Sequence, residues 1–137
     1  MLEIDGLRVN YGHTGAVLGV SLHVGQGETV GLIGPNGAGK SSVLRTVAGL
    51  VKPAAGKVTF LGRQIGGLPS EQIVRLGVSL VPEGRHIFSG LTVRENLLIG
   101  ATGQKDKAAV EKEIERLLER FPILRERFKS SGGKLSG

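Results

Sequence analysis

Gly34-Pro35-Asn36-Gly37-Ala38-Gly39-Lys40-Ser41 fits the spacing G-x-x-x-x-G-K-[ST] and follows the apolar run Thr29-Val30-Gly31-Leu32-Ile33. Each residue type in it has a physical reason. Gly34, Gly37 and Gly39 permit left-handed turns and close backbone approach, so successive N–H groups, with Pro35, Asn36 and Ala38 completing the loop, form an anion-binding concavity. Lys40 is placed to reach β- and γ-phosphates and Ser41 to set its hydroxyl on Mg²⁺. From Ser42 to about Ala48 a helix is expected, its positive N-terminal end facing the phosphates. The competing reading is a Gly-rich turn in a chain with 23 glycines in 137 residues. The strand–loop–helix context decides for phosphate binding.

A chain of 137 residues suits a single domain with a real core. It has no Cys, which excludes disulfides and thiolate metal sites. Its apolar runs fall far short of the roughly 20 residues that span a bilayer, and the opening Met1-Leu2-Glu3-Ile4-Asp5 lacks the basic and apolar parts of a leader. A cytosolic protein is the expectation. A net charge of +6 raises nucleic-acid binding as an alternative. Residues 1–100 and 101–137 each carry nine Lys/Arg against six Asp/Glu, acids alternate with bases in the second part, and aromatics are only 4%. Such alternation marks a solvated helix face, with little to stack on bases, so no nucleic-acid partner is expected.

Leu2, Ile4, Leu7 and Val9 leading to Tyr11-Gly12, then residues 17–24, read as strands joined by loops. Residues 29–33 and 56–60 read as further strands, and Val78-Ser79-Leu80-Val81 as a buried one. A short helix is expected from Pro69-Ser70 to about Leu76. Thr92-Val93-Arg94-Glu95 forms a capping box, so a helix starts at Val93. Between Asp106 and Phe121, Val110, Ile114, Leu117, Leu118 and Phe121 recur at helical spacing, and Pro122 ends that helix. The Gly/Ser-rich residues 130–137 would ordinarily be a frayed end. Pro82-Glu83-Gly84-Arg85 follows a strand's C-terminal end, where open α/β sheets place ligands.

Taken together, these motifs resemble the N-terminal part of an ATP-binding-cassette (ABC) ATPase, most closely the ATPases of branched-chain amino-acid importers. Tyr11-Gly12 is similar to the aromatic loop that stacks on adenine, although Tyr11 by itself reads equally as a strand tyrosine. Residues 34–42, Gly-Pro-Asn-Gly-Ala-Gly-Lys-Ser-Ser, have the form of that family's phosphate loop. The stretch from Val81 to Phe88, followed by Leu91-Thr92-Val93-Arg94-Glu95-Asn96-Leu97, is the most subfamily-specific piece: most cassettes carry Gln where this chain has Glu83. Urea and amide importers usually keep that Gln. Lys134-Leu135-Ser136-Gly137 resembles the opening of the Leu-Ser-Gly-Gly signature.

The resemblance implies an α/β fold of the P-loop ABC ATPase type: an antiparallel β region, part of a parallel core sheet and the start of a helical subdomain. It implies an incomplete domain, with a nucleotide-binding core over 1–90 and a partial helical subdomain over 91–137, in an N-terminal fragment that stops inside the signature. ATP and Mg²⁺ are the implied ligands. Lys40 and Glu83 are the candidate catalytic residues, Ser41 and Glu83 the metal-side residues. Tyr11, residues 34–42, Ser136 and Gly137 are the nucleotide contacts, the last two acting on ATP held by a second ATPase subunit. Membrane permease subunits are the further partners, with Arg85 and Phe88 as docking candidates, and the cytoplasmic membrane face is the implied location. His13, His23 and His86 are expected to be exposed or structural. The family's Walker B Asp, catalytic Glu and switch His lie after the signature, so the chain alone is expected to be inactive, with unpaired strand edges at 29–33 and 78–81. Two other classes remain open: a nucleotide-binding module without hydrolysis, and a soluble nucleic-acid-associated cassette protein.

Overall fold

A computed structural model describes residues 1–84 and 86–135, and the chain falls into two compact units, Met1–Val81 and Pro82–Gly137. In the first, β1 (Leu2–Tyr11) and β2 (Thr14–Val24) make a hairpin across Gly12-His13, and β3 (Ala55–Phe60) and β4 (Arg63–Gln64) extend the sheet in the order β2-β1-β3-β4. Every pairing is antiparallel. Strand β1 carries a bulge at Gly6, which has φ 56°; the register slips there against both β2 and β3. The extra residue shifts the side-chain phase, so Ile4, Leu7 and Val9 all face inward although 4 and 7 differ by an odd number. Gly56 makes this possible. A Cβ there would sit 2.5 Å from the Gly6 carbonyl oxygen and 2.6 Å from that of Asp5.

Beneath the sheet lie α1 (Lys40–Val47) and α2 (Ser70–Arg75). Helix α1 buries Val43, Thr46 and Val47, and α2 contributes Ile73; these join Ile4, Leu7, Val9, Val17, Val58 and Ile65 in one core. Thr46 is buried without penalty because its hydroxyl donates to the Ser42 carbonyl at 2.8 Å.

Two expected strands are not formed. Residues 29–33 and 78–81 carry no strand ladder, and the ends of both runs stand in solvent, with Ile33 98% and Val81 91% exposed. The sequence expectation of a buried strand at 78–81 is therefore corrected. A strand is defined by hydrogen bonds to neighbours, and among the described residues none is paired with either segment. Their apolar pattern suits a sheet interior; their surroundings do not supply one. The antiparallel part of the expected fold is formed; among the described residues the two segments expected in its parallel part carry no ladder.

The second unit contains α3 (Val93–Gly100), α4 (Lys107–Arg120) and α5 (Pro122–Glu126). The capping box is present: Glu95 N–H donates to Thr92 Oγ1 at 3.2 Å, and Thr92 N–H donates to Glu95 Oε2 at 2.7 Å. Asp106 caps α4 by accepting from the N–H groups of Ala108 and Ala109. Ile114 and Leu118 are buried as the periodicity requires, but Phe121 is 48% exposed. At φ −128° and ψ 79° Phe121 has already left the helix, which turns its ring off the apolar stripe. Pro122 both ends α4 and occupies the first turn of α5. Residues 130–135 are not frayed. Gly132–Lys134 form a 3₁₀ turn, and Ser131 bridges Thr92.

The box also sets a pH response. Hydrogen bonds from the Thr92 hydroxyl and then the Thr92 N–H hold the Glu95 carboxyl below its ordinary value, with Arg94 adding to them. A depressed folded-state pKa gives stability that is full above the unfolded value and is lost as pH falls through the folded one. The Tm advantage of wild type over Glu95→Gln is expected to shrink on acidification through and below the usual glutamate range. Thermal melts of both proteins across that range check this, and a pH-independent difference contradicts it.

Candidate functional site

The phosphate loop joins segment 29–33, exposed except for half-buried Leu32, to α1 and stays at the surface of the first unit. Gly37 (φ 86°) and Gly39 (φ 90°) are both left-handed, and the Ala38 N–H closes a turn on the Pro35 carbonyl at 3.2 Å. Gly39 is the N-cap of α1 and has a second reason to lack a side chain. A Cβ there would overlap the Ala16 carbonyl oxygen and come within 3.1 Å of Val17 Cγ2, so the loop's end is pressed onto β2. Ala38 and Gly34 are close as well, 3.3 Å from the Ala38 Cβ to a Cβ placed on Gly34.

Helix α1 has no side-chain cap and no acidic residue in its first turn. Its first N–H groups and the positive end of its dipole are therefore directed at whatever occupies the loop. Lys40 lies back across the loop, its Nζ donating to the carbonyls of Gly34 and Pro35 at 2.8 Å each. That contact satisfies two loop carbonyls and sets a fixed positive charge at the mouth. Three features thus favour an anion: left-handed glycines, an uncapped helix start and an ammonium.

Tyr11 is brought to this site by the fold. It ends β1, is 46% exposed, and donates from its hydroxyl to Ser42 Oγ at 3.3 Å. An exposed aromatic ring beside the loop is the arrangement a stacked base requires. Ser41 and Ser42 are half-buried at the start of α1, whereas Pro35, Asn36, Gly37 and Ala38 are exposed. The residues fit a nucleoside triphosphate. Among the described residues no group of three or more His, Asp or Glu could form a metal cage.

Glu83 belongs to the second unit, exposed on a bend with Gly84 at φ 85°. Ile87 and Phe88 follow it, 47% and 57% exposed. Arg85, Ser136 and Gly137 lie outside the described residues. His13, His23 and His86 are all exposed. No helix among the described residues is long and apolar enough to cross a membrane. The sequence reading missed the backing of the loop by Ala16 and Val17. It left no local signal, because the contact joins residues 23 positions apart.

Comparison with known proteins gives this site a family. Residues 17–137 match the family described as ABC transporter. The high-affinity branched-chain amino acid transport ATP-binding protein BraG of Pseudomonas aeruginosa is 43% identical over 137 residues, covering all of this chain and 58% of BraG. The Nod factor export ATP-binding protein I of Rhizobium sp. is 36% identical over 137 residues, covering 99% of this chain and 44% of that protein. A solved nucleotide-free ATP-binding cassette from an ABC transporter superposes with a TM-score of 0.84 at 28% identity, over 99% of this chain and 59% of the cassette. The chain therefore spans less than two thirds of the length of these relatives. With a family match that takes in most of its length, the chain belongs to the ABC transporter family.

Proposed function

We propose that this chain is the nucleotide-binding part of a subunit that couples ATP binding and hydrolysis to transport across a membrane, with branched-chain amino acids as the cargo. The observation that carries the ATP reading is the loop at 34–42, clamped onto β2 and opening on an uncapped helix start. The cargo reading is supported by Glu83 in its Pro-Glu-Gly-Arg setting and by the likeness to BraG. The likeness to a Nod factor export protein supports a second reading, in which the same ATPase unit serves outward transport.

In this mechanism Tyr11 stacks on adenine, the N–H groups of residues 34–42 surround the phosphates, and Lys40 leaves the Gly34 and Pro35 carbonyls to neutralise the β- and γ-phosphates. Mg²⁺, when bound, screens the phosphate charge that develops during transfer. Ser41 is assigned to the metal side; a metal-side role for Glu83, in the second unit, and a role for Ser136 and Gly137 at the nucleotide of a second ATPase subunit are what the resemblance implies. Ile87 and Phe88, exposed after Glu83, offer apolar surface to a permease subunit at the cytoplasmic face of the membrane.

Lys40→Ala is expected to weaken ATP–Mg²⁺ binding strongly, and calorimetric titration showing equal affinity for both proteins would remove the phosphate reading. Gly39→Ala is expected to do so too, because the added Cβ meets the β2 backbone. Tyr11→Ala should cost about 1–3 kcal/mol in ATP affinity, by analogy with base–aromatic stacking. Its affinity for tripolyphosphate should be unchanged. Equal losses for both ligands would return Tyr11 to a structural role.

The chain by itself is read as binding ATP without turning it over. Phosphoryl transfer needs an oriented attacking water, and Glu83 is assigned to the metal and the permease surface instead. Ile33 and Val81, nearly fully exposed, should also drive self-association. Purified residues 1–137 are expected to show no phosphate release above a Lys40→Ala control and a concentration-dependent sedimentation profile. A sharp monomeric melt together with Lys40-dependent turnover contradicts both expectations.

A further inference from the structure

The β1–β2 hairpin is fastened to the phosphate loop and its helix at two places. At its base, the Ala16 carbonyl and the Val17 side chain press on Gly39. At its tip, the Tyr11 hydroxyl donates to Ser42 Oγ at 3.3 Å, a contact between residues 31 positions apart. The tip itself has little packing to hold it. Tyr11, Gly12, His13, Thr14 and Gly15 are all exposed, and a Cβ on Gly12 would meet no atom within 4 Å. An aromatic side chain on such a tip keeps its rotamer freedom unless its polar end is caught.

Ser42 can catch it because Ser42 is itself held. It sits half-buried in the first turn of α1, and its carbonyl accepts from the Thr46 hydroxyl at 2.8 Å. Thr46 is 1% exposed, and its neighbour Val47 is part of the core. A line of support therefore runs from the interior through Thr46 and Ser42 to the ring. The direction of the last bond matters. Tyr11 donates and Ser42 accepts, so the Ser42 hydroxyl keeps its own proton for a further acceptor, such as a phosphate oxygen in the loop. The tether and a bound phosphate do not compete.

We propose that Ser42 is a positioning residue for base recognition: its hydroxyl holds the Tyr11 ring in place beside the phosphate loop, so that stacking on a base needs no further ordering of that side chain. This rests on the reading of Tyr11 as the surface that takes the base. The hydroxyl of Tyr11 thereby has a task separate from that of the ring's face. Phenylalanine supplies the same face and cannot make the tether. The gain is confined to ligands that carry a base, because a bare polyphosphate never meets the ring.

Tyr11 is the one tyrosine in the 137 residues and there is no tryptophan, so intrinsic fluorescence reports this ring alone. Time-resolved anisotropy of the 137-residue chain without nucleotide is expected to show a larger fast, local depolarisation in Ser42→Ala than in wild type. An unchanged local amplitude overturns the proposal. Titrations with ATP–Mg²⁺ and with tripolyphosphate–Mg²⁺ read the consequence. Tyr11→Phe is expected to lose about threefold to tenfold in ATP affinity, the usual cost of ordering one side chain on binding, and to bind tripolyphosphate as wild type does. Ser42→Ala also alters the phosphate loop and is judged by the ratio of the two ligands. Its ATP loss should exceed its tripolyphosphate loss by the same factor, and adding Tyr11→Phe should lower that ratio no further. An additive loss in the double variant overturns the tether. So does wild-type ATP affinity in Tyr11→Phe, and there Tyr11→Ala separates the two readings: if it still loses ATP affinity, stacking stands without the tether, and if it does not, both fall.

Discussion

The contact between Gly39 and the backbone of β2 is the constraint on which the site depends. Because no atom can be added at Gly39, the loop must end where β2 lets it, and α1 must begin there with its first turn uncapped. Every electrostatic property of the site follows from that placement. An α-helix leaves its first N–H groups unsatisfied, and here neither a side chain of its own cap nor an acidic neighbour answers them. Lys40 adds a full charge, parked on two carbonyls of the loop it belongs to.

The sheet supports this arrangement without taking part in it. The bulge at Gly6 turns Ile4, Leu7 and Val9 to one face, and that face is what α1 packs against through Val43 and Val47. The same hairpin delivers Tyr11 to Ser42, since the last residue of β1 and the second turn-forming serine of α1 meet only when the core beneath them is closed. Core packing and ligand geometry are therefore one problem: the residues that fill the interior of the first unit also fix the distance from an aromatic ring to the phosphate loop.

The second unit is organised by a different interaction, the seam between residues 88–92 and 130–135. Helices α3 and α4 carry side-chain caps, whereas the seam is built from backbone groups, the Asn96 amide and the Ser131 hydroxyl. Backbone carbonyls at Phe88, Leu91 and Thr92 converge on Asn96, a pattern that needs three separate residues to hold a defined turn before the amide gains anything. Salt bridges such as Arg94 with Glu111 lie at the surface, where exposure and screening leave them little energetic weight.

By itself the sequence determined what is local: the G-x-x-x-x-G-K-[ST] spacing, the helix that follows it, the capping box at Thr92 and Glu95, and the amphipathic run through Ile114 and Leu118. Each rests on residues within a turn or two of one another, so propensity, glycine φ freedom and 3.6-residue periodicity suffice. Tertiary structure alone decided what depends on residues distant in the chain. Residues 29–33 and 78–81 look like strands and are not, because a strand exists only through a neighbour's hydrogen bonds. Phe121 has the right spacing for the apolar stripe, yet the backbone leaves the helix one residue too early to use it. Gly133 looks like part of a frayed tail until Ser89 meets it across 44 positions, and Gly39 looks like one glycine of a loop until Ala16 shows why nothing larger fits. Composition cannot encode such contacts, since they are set by which surfaces the closed chain brings within van der Waals distance.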